Sequence, residues 1–214
     1  MNKVINTIVM LMIFNFALSQ EVYLNIGSNF TNYDYTNSKG EKNPKVISSN
    51  GAAFEIGYLF SLNDNIRLST GITLDEFNAL GGDFVNRYSW QTSYLGFQST
   101  IKYNVLNVFK TFKGSHLDNQ LFRIHLNLGL NFNHIVSGKQ QINGQTFNLT
   151  TEKEFKGIFI KPLIGFDVQY FLLDNIALGI GYNVSKNFGV SNSTNQSLNF
   201  TNNQLQFNIV MKIN

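Results

Sequence analysis

The sequence lacks cysteine and contains few prolines and few charged residues. None of its 214 residues is Cys, two are Pro, and 14% are charged, whereas an ordinary soluble domain carries roughly 25% charged residues. The absence of cysteine excludes disulfides, thiolate chemistry and cysteine-based metal sites. The 20 Phe and 9 Tyr argue against disorder, because disordered segments are poor in aromatic residues. The chain therefore folds, and its low charge is unusual for a protein whose whole surface meets water.

The positive charge of the chain is small and dispersed. Sixteen Lys and Arg against 13 Asp and Glu give a net charge of +3, and Lys110 and Lys113 form the densest basic pair. A protein that binds nucleic acid carries a basic stripe or patch on one face. The sequence therefore predicts that nucleic acid is not a partner.

Long apolar runs are also missing, except at the N-terminus. Residues 4–16 are mainly apolar, follow Lys3, and precede Ala17 and Ser19, whose small side chains suit a cleavage site. This pattern predicts a signal peptide over residues 1–19 and a mature domain over residues 20–214. A transmembrane anchor needs about 20 apolar residues, more than this run supplies. After Gln20, polar residues interrupt every apolar stretch, which excludes a helical membrane protein.

Eight segments of the mature chain alternate apolar and polar residues, which is the pattern of β-strands with two different faces. They cover residues 22–30, 52–60, 66–75, 94–105, 122–133, 158–170, 176–185 and 204–213. The fifth segment is the clearest, since Leu126 and Leu128 alternate with His125 and Asn127. Eight is an even number and the smallest usual strand number of outer-membrane barrels.

The composition of the two faces indicates which one points inward. A soluble barrel hides its apolar face, whereas a membrane barrel turns that face to lipid. The polar face consists mainly of Gly, Asn, Gln, Ser and Thr, not the Lys and Glu of a water-exposed surface, and the apolar face carries no charge. The sequence therefore predicts an eight-stranded antiparallel up-and-down transmembrane β-barrel. A soluble, lipocalin-like periplasmic barrel is the alternative.

Several charged residues fall on the polar face. In a narrow interior they have to pair with one another, because an unpaired buried charge is costly. We therefore predict an interior polar network formed by Glu55, Arg67, Asp75, Lys102, Arg123, His125, Lys161, Asp167 and Lys212.

Two members of this network could be interpreted as catalytic residues. His125 and Asp167 lie on neighbouring segments and could form a base and its orienting carboxylate. No serine in a recognisable nucleophile context accompanies them, so we expect a buried, hydrogen-bonded pair and predict no catalytic site. No histidine has a metal-ligand partner at useful spacing, and no metal or cofactor is predicted. Side chains such as Arg67, Tyr94 and Phe159 are expected to fill so narrow a lumen.

The connections between segments differ in length. Two short turns, at 61–66 and 172–176, share the letters Asp-Asn-Ile, whereas the connections 31–50, 76–90, 135–157 and 186–203 are long and polar. The remaining connection, 106–120, is long for the end on which it lies. Outer-membrane barrels have short periplasmic turns and long external loops, so both termini are predicted in the periplasm. Aromatics near the rims are expected to form an interfacial belt: Tyr33, Tyr35, Tyr88, Trp90, Tyr103, Tyr170 and Phe188.

Short motifs of this chain resemble the outer-membrane β-barrel family of Bacteroidetes that is called PorT-like. They are the run Gly57-Tyr58-Leu59-Phe60-Ser61-Leu62 into a hairpin, and Tyr94-Leu95-Gly96-Phe97 leading to Ile101-Lys102-Tyr103. The chain departs from the family at Gln98, where proline is frequent, and at its C-terminal Asn214, where many such barrels end in an aromatic residue. The resemblance implies residence in the outer membrane of a bacterium with two membranes.

The favoured function is that of a non-enzymatic outer-membrane barrel with a filled interior. It either supports the membrane or presents loops for adhesion or ligand binding, with loops 31–50 and 135–157 as the best candidates because loops carry specificity on rigid scaffolds. Its expected partners are outer-membrane lipid, the outer-membrane assembly machinery and an extracellular ligand. Two alternatives remain: a narrow transport or secretion-accessory barrel, and a less favoured lipid-modifying enzyme.

Overall fold

Antiparallel strands make up almost all of the chain that the computed structural model describes, which is residues 20–36, 46–82, 87–105, 122–152, 155–189 and 197–213. The strands in these ranges are β1 (Gln20–Thr36), β2 (Val46–Ser61), β3 (Ile66–Gly82), β4 (Arg87–Asn104), β5 (Phe122–Ile142), β6 (Gln145–Asn148), β7 (Ile158–Leu173), β8 (Ile176–Gly189) and β9 (Ser197–Lys212). The predicted signal peptide and the connection 106–120 lie outside the described residues.

Eight of these strands close into a barrel. Each pairs with its neighbour in the chain, β9 pairs with β1, and the pairing of β4 with β5 completes the ring. Among the described strands, β6 pairs with β5 alone and belongs to a hairpin outside the ring. Every barrel strand therefore has a partner on both sides over its central part, which is what a structure in hydrocarbon requires because lipid offers no hydrogen bonds to a free strand edge.

The two faces of the barrel have opposite polarity. On β5, Leu128 and Leu130 are 64% and 46% exposed on the outside, whereas Asn127 and Asn131 are 3% and 0% exposed on the inside. The outward-facing apolar row of β5 runs from Phe122 to Phe132, which is close to the roughly 9–11 residues with which a tilted strand crosses a bilayer. The interpretation as an eight-stranded antiparallel transmembrane β-barrel is confirmed, and the soluble alternative is wrong because its apolar face would have been buried.

Both ends of the barrel are defined by their connections. We call the end with the turns at 62–65 and 174–175 the turn end, and the opposite end the loop end. In the first turn, the Oδ1 atom of Asn63 accepts hydrogen bonds from the backbone N–H groups of Asn65 and Ile66, at 2.9 and 2.8 Å. Strand β1 begins and β9 ends at the turn end. The two short turns thus lie together, as the sequence predicted.

The strands continue beyond the apolar band at the loop end, which corrects the predicted loop boundaries. Strand pairing extends into each of the connections 31–50, 76–90, 135–157 and 186–203. Within 135–157, β5 and β6 are joined by Asn143 and Gly144, both with positive φ (48° and 84°), as a tight hairpin turn requires. The apolar alternation ends where lipid contact ends, but backbone pairing does not depend on it, so the strands run on.

Candidate functional site: the interior of the barrel

The first interior layer, nearest the turn end, contains two arginines and one carboxylate. Arg67 forms an ion pair with Glu21, and the Nη1 atom of Arg123 lies 3.7 Å from Glu21 Oε1. The guanidinium of Arg123 also lies 4.4 Å from the ring centroid of Phe171, within the range of a cation–π contact. A cavity of about 310 Å³ opens at this end, lined by Ser61, Asn63, Asp64, Arg67, Asn104 and Arg123.

The second layer is centred on Asp167. Its carboxylate accepts hydrogen bonds from Lys102 Nζ at 2.6 Å and Asn127 Nδ2 at 2.9 Å, and lies 2.9 Å from His125 Nδ1. Neither His125 nor Asp167 has any exposed side-chain surface. The carboxylate is thus satisfied by three partners, the arrangement that a buried charge requires.

The third layer is centred on Glu55, which is held by neutral donors. Tyr23 donates through its hydroxyl at 2.5 Å, Asn25 through Nδ2 at 2.8 Å and Gln98 through Nε2 at 3.1 Å. Between this layer and Lys102 lies a cavity of about 10 Å³, which holds about one water molecule. The central lumen is therefore closed by side chains.

The fourth layer pairs opposite walls of the barrel. Lys161 on β7 donates to Asp75 on β3 at 2.7 Å, and Asn29 Nδ2 donates to the same carboxylate at 3.3 Å. The ammonium of Lys161 also lies 5.1 Å from the ring centroid of Phe77. This layer forms the boundary between the polar interior and the residues above it.

Above the fourth layer, the interior of the loop end is apolar. The rings of Trp90 and Phe155 meet edge to face with centroids 5.7 Å apart, and Tyr33 lies 5.3 Å from Trp90 in a similar geometry. We call this group the aromatic cluster. Its buried members are Tyr33, Phe77, Ala79, Trp90, Tyr94, Ile135, Leu149, Phe155, Phe159 and Phe200.

The aromatic cluster corrects part of the predicted interfacial belt. Tyr33 and Trp90 are each only 8% exposed and point inward, because the strands that carry them extend past the membrane band and keep their two-faced alternation. Tyr103, Tyr170 and Phe188 do lie on the outside, 39%, 40% and 44% exposed. Tyr88 is partly buried against the cluster, and the side chain of Tyr35 is outside the described part.

The predicted polar network is mostly inside the barrel, but it is divided into separate layers. Eight of its members line the interior: Glu55, Arg67, Asp75, Lys102, Arg123, His125, Lys161 and Asp167. Lys212 does not belong to it. It is exposed, because it is the last residue of β9 and lies where the barrel opens to water.

Sequence reasoning missed Glu21, the carboxylate of the first layer. Glu21 is only 6% exposed and lies on the same face as Tyr23. The alternation of β1 could have identified it, but we began the first segment one residue later, at Val22. The predicted network therefore omitted the acid that lies nearest to Arg67 and Arg123.

The polar layers contain neither a cluster of metal ligands nor an acid–base group that is open to solvent. In the ranges that the structure describes, His, Asp and Glu side chains nowhere form a group of three that could hold a metal ion. The His125–Asp167 pair has the geometry of a base and its orienting carboxylate, but it is enclosed on all sides. A general base has to reach the proton that it abstracts, and this histidine reaches only its neighbours in the wall.

No protein-family model matches the chain, and no curated protein matches its sequence. Solved structures of similar fold include Neisserial surface protein A, with 14% identity over 90% of this chain and 97% of that one and a TM-score of 0.46. A major outer membrane protein from Thermus thermophilus has 11% identity over 91% and 99% of the two chains, with a TM-score of 0.49. The outer membrane protease OmpT from Escherichia coli has 9% identity over 92% and 97%, with a TM-score of 0.45. At these identities, the likenesses say nothing about the function of this chain.

Proposed function

We propose that this protein is a non-enzymatic, non-conducting outer-membrane barrel that presents a binding surface at its loop end. The observation that carries the proposal is the filled interior. Four polar layers and the aromatic cluster follow one another along the axis, and the space beside Glu55 and Lys102 has room for about one water molecule. A solute has no path through such a barrel, which disfavours the transport alternative.

Placement in the outer membrane is supported by the polarity and the asymmetry of the barrel. Its exposed apolar band suits lipid, and barrels of this type have short turns on the periplasmic side and long loops outside the cell. The predicted signal peptide and the resemblance to the PorT-like family of Bacteroidetes agree with this placement. In this arrangement the chain contacts outer-membrane lipid, is inserted by the outer-membrane assembly machinery, and keeps both termini in the periplasm.

A catalytic role is disfavoured by the location of the acid–base groups. His125 and Asp167 are fully enclosed in the second layer, and Lys102 neutralises the carboxylate from 2.6 Å. A lipid-modifying enzyme needs its base at a surface that the lipid can reach. We therefore assign these residues to the stability of the barrel.

The binding surface that we propose lies around the β5–β6 hairpin. All four residues of β6, Gln145–Asn148, are exposed, and the hairpin stands beyond the apolar band together with the extended ends of β3 and β4. Next to it, a groove of about 260 Å³ is lined by polar side chains, namely Glu76, Asn78, Gln91, Thr92, Ser93, Ser137 and Lys139. An extracellular ligand would meet these residues first.

The orientation can be tested by labelling, because the chain contains no cysteine. Thr146→Cys lies in the exposed hairpin and Asp64→Cys in an exposed turn at the other end. With a maleimide on a polymer too large to cross the outer membrane, we expect Thr146→Cys to react on intact cells and Asp64→Cys to react only after the membrane is permeabilised. Labelling of Asp64→Cys alone on intact cells would overturn the proposal, and the cysteine-free parent controls for background.

A further inference from the structure

Several polar atoms that border the aromatic cluster have no hydrogen-bond partner among the described residues. The hydroxyl of Tyr94, which is 0% exposed, and both side-chain atoms of Asn133 and of Asn187, each 1% exposed, make no hydrogen bond within the described residues. Strand register places Asn133 opposite Phe159 and Asn187 opposite Phe200. Buried polar groups are nearly always hydrogen-bonded in folded proteins, so these atoms can still accept or donate a hydrogen bond.

Two members of the cluster do not come from the barrel wall. Leu149 and Phe155, which we call the cover, belong to the connection between β6 and β7 and are 2% and 6% exposed. The backbone N–H of Leu149 donates to the carbonyl of Gly138 at 2.9 Å, whereas that of Phe155 donates to Glu152 within its own turn. The neighbouring Thr151, Glu152 and Lys156 are exposed. Departure of the cover from the cluster would break the Leu149–Gly138 bond but no pairing between two strands of the ring.

We propose that the aromatic cluster is a binding site for a small neutral amphipathic molecule, and that the cover occupies this site until the ligand displaces it. Ligand sites are typically lined by apolar and aromatic side chains with a few polar groups that fix orientation, and here Tyr94, Asn133 and Asn187 supply those groups. Phenol and amide side chains both donate and accept hydrogen bonds.

These groups define the chemical class of the ligand. An aromatic or short aliphatic body would replace the Leu149 and Phe155 side chains among the rings, and a hydroxyl or carbonyl group would bond to the phenol and the amides. A charged ligand is disfavoured, because Lys161, the nearest cation below the rings, is already paired with Asp75 at 2.7 Å. The inference deepens, and rests on, the proposal that the loop end is the binding end.

The chain itself supplies the means to test the site. Its one tryptophan, Trp90, contacts the cover through Phe155, so its fluorescence reports on the site alone. A Cβ atom built at Gly138 lies 2.9 Å from the Cβ of Leu149, slightly closer than the roughly 3.5–4.5 Å that a disulfide spans. After a small shift, Gly138→Cys with Leu149→Cys would lock the cover in place, with no native thiol to compete.

The probe is 4-nitroacetophenone, a neutral aromatic ketone whose nitro group quenches indole fluorescence, titrated into protein in phosphatidylcholine nanodiscs. We expect saturable quenching of Trp90 in the natural chain and in the reduced double variant. Oxidation of the double variant should weaken the apparent affinity at least tenfold, and a reductant should restore it. The single variants Gly138→Cys and Leu149→Cys should show no dependence on redox state.

A further variant, Tyr94→Phe, tests the polar part of the site. It should weaken binding several-fold, while the heat-dependent gel shift of a folded barrel stays unchanged. Quenching that does not saturate, or that the disulfide leaves unchanged, would overturn the inference, since the probe would then act from the lipid or from elsewhere on the protein. These results are independent of the labelling at Thr146, so failure of the site and failure of the proposed orientation can be told apart.

Discussion

Replacing Asp167 with leucine is expected to lower the free energy of unfolding by about 3–5 kcal/mol, the usual cost of removing one partner of a buried ion pair. Lys102 is only 6% exposed and donates to this carboxylate at 2.6 Å. Without Asp167, its ammonium loses the only carboxylate that it contacts directly among the described residues, since Glu55 lies across a small cavity, and Asn127 loses an acceptor. Urea unfolding of the protein in lipid vesicles, followed by the heat-dependent gel shift, measures the change.

The matched control removes both charges of the same pair. The double variant Lys102→Met, Asp167→Leu should be more stable than Asp167→Leu alone, because replacing a whole buried ion pair with apolar side chains is often neutral. A double-mutant cycle isolates this coupling. If the losses of the two single variants simply add, then Lys102 and Asp167 do not interact and our description of the second layer is wrong.

The second large effect is expected on the outside of the barrel. Leu128 lies midway along the apolar row of β5 and is 64% exposed. Leu128→Arg should lower the free energy of unfolding in lipid vesicles by roughly 2–4 kcal/mol, because an arginine at the bilayer midplane is poorly solvated. On a water-exposed surface, the same substitution would change stability very little.

Gln141 provides the control for this substitution on the same strand. It is exposed, but it lies beyond the apolar band, close to the end of β5. Gln141→Arg should therefore cost less than about 1 kcal/mol, as charged side chains do near or outside the membrane interface. Equal losses for the two variants would mean that the apolar row of β5 does not contact lipid.

The faces of the strands could be predicted from the sequence because a strand has a period of two. Successive side chains of a strand point to opposite faces. In β5, the side chains at 126, 128 and 130 therefore share one face, and those at 125 and 127 share the other. Composition then decided which face was inside, since amides and glycines suit a crowded interior and lysine-rich surfaces suit water. The two faces of one strand can therefore be assigned without knowledge of the other strands.

The ends of the strands could not be predicted in the same way. Beyond the membrane band the outer face turns polar, as at Glu76 and Asn78 on β3, so the apolar alternation disappears while the backbone pairing goes on. One local motif does mark a strand end in this region. Asn143 followed by Gly144 is the strongest short hairpin motif, and it marks the turn between β5 and β6.

The layers of the interior were only partly predictable, because they depend on which residues meet across the lumen. Lys161 and Asp75 lie on strands that do not pair with each other, and their contact follows from the curvature of the whole barrel. The aromatic cluster was missed for a related reason. The sequence analysis placed Trp90 and Tyr33 in connections outside the strands and therefore predicted that both lie at the membrane interface. In the structure, β1 and β4 include these residues, and the alternation of the strands turns both side chains inward.

The most direct test of the account measures what surrounds the outer face of β5. A single spin label at Leu128→Cys, in a chain without native cysteine, reports collisions with dissolved oxygen, which concentrates in lipid, and with a nickel chelate, which stays in water. We expect the label at 128 to meet oxygen and to be shielded from nickel, and a label at Gln141→Cys to show the reverse. A label at 128 that meets nickel more than oxygen, or that meets neither, would contradict a barrel whose apolar face contacts the acyl chains.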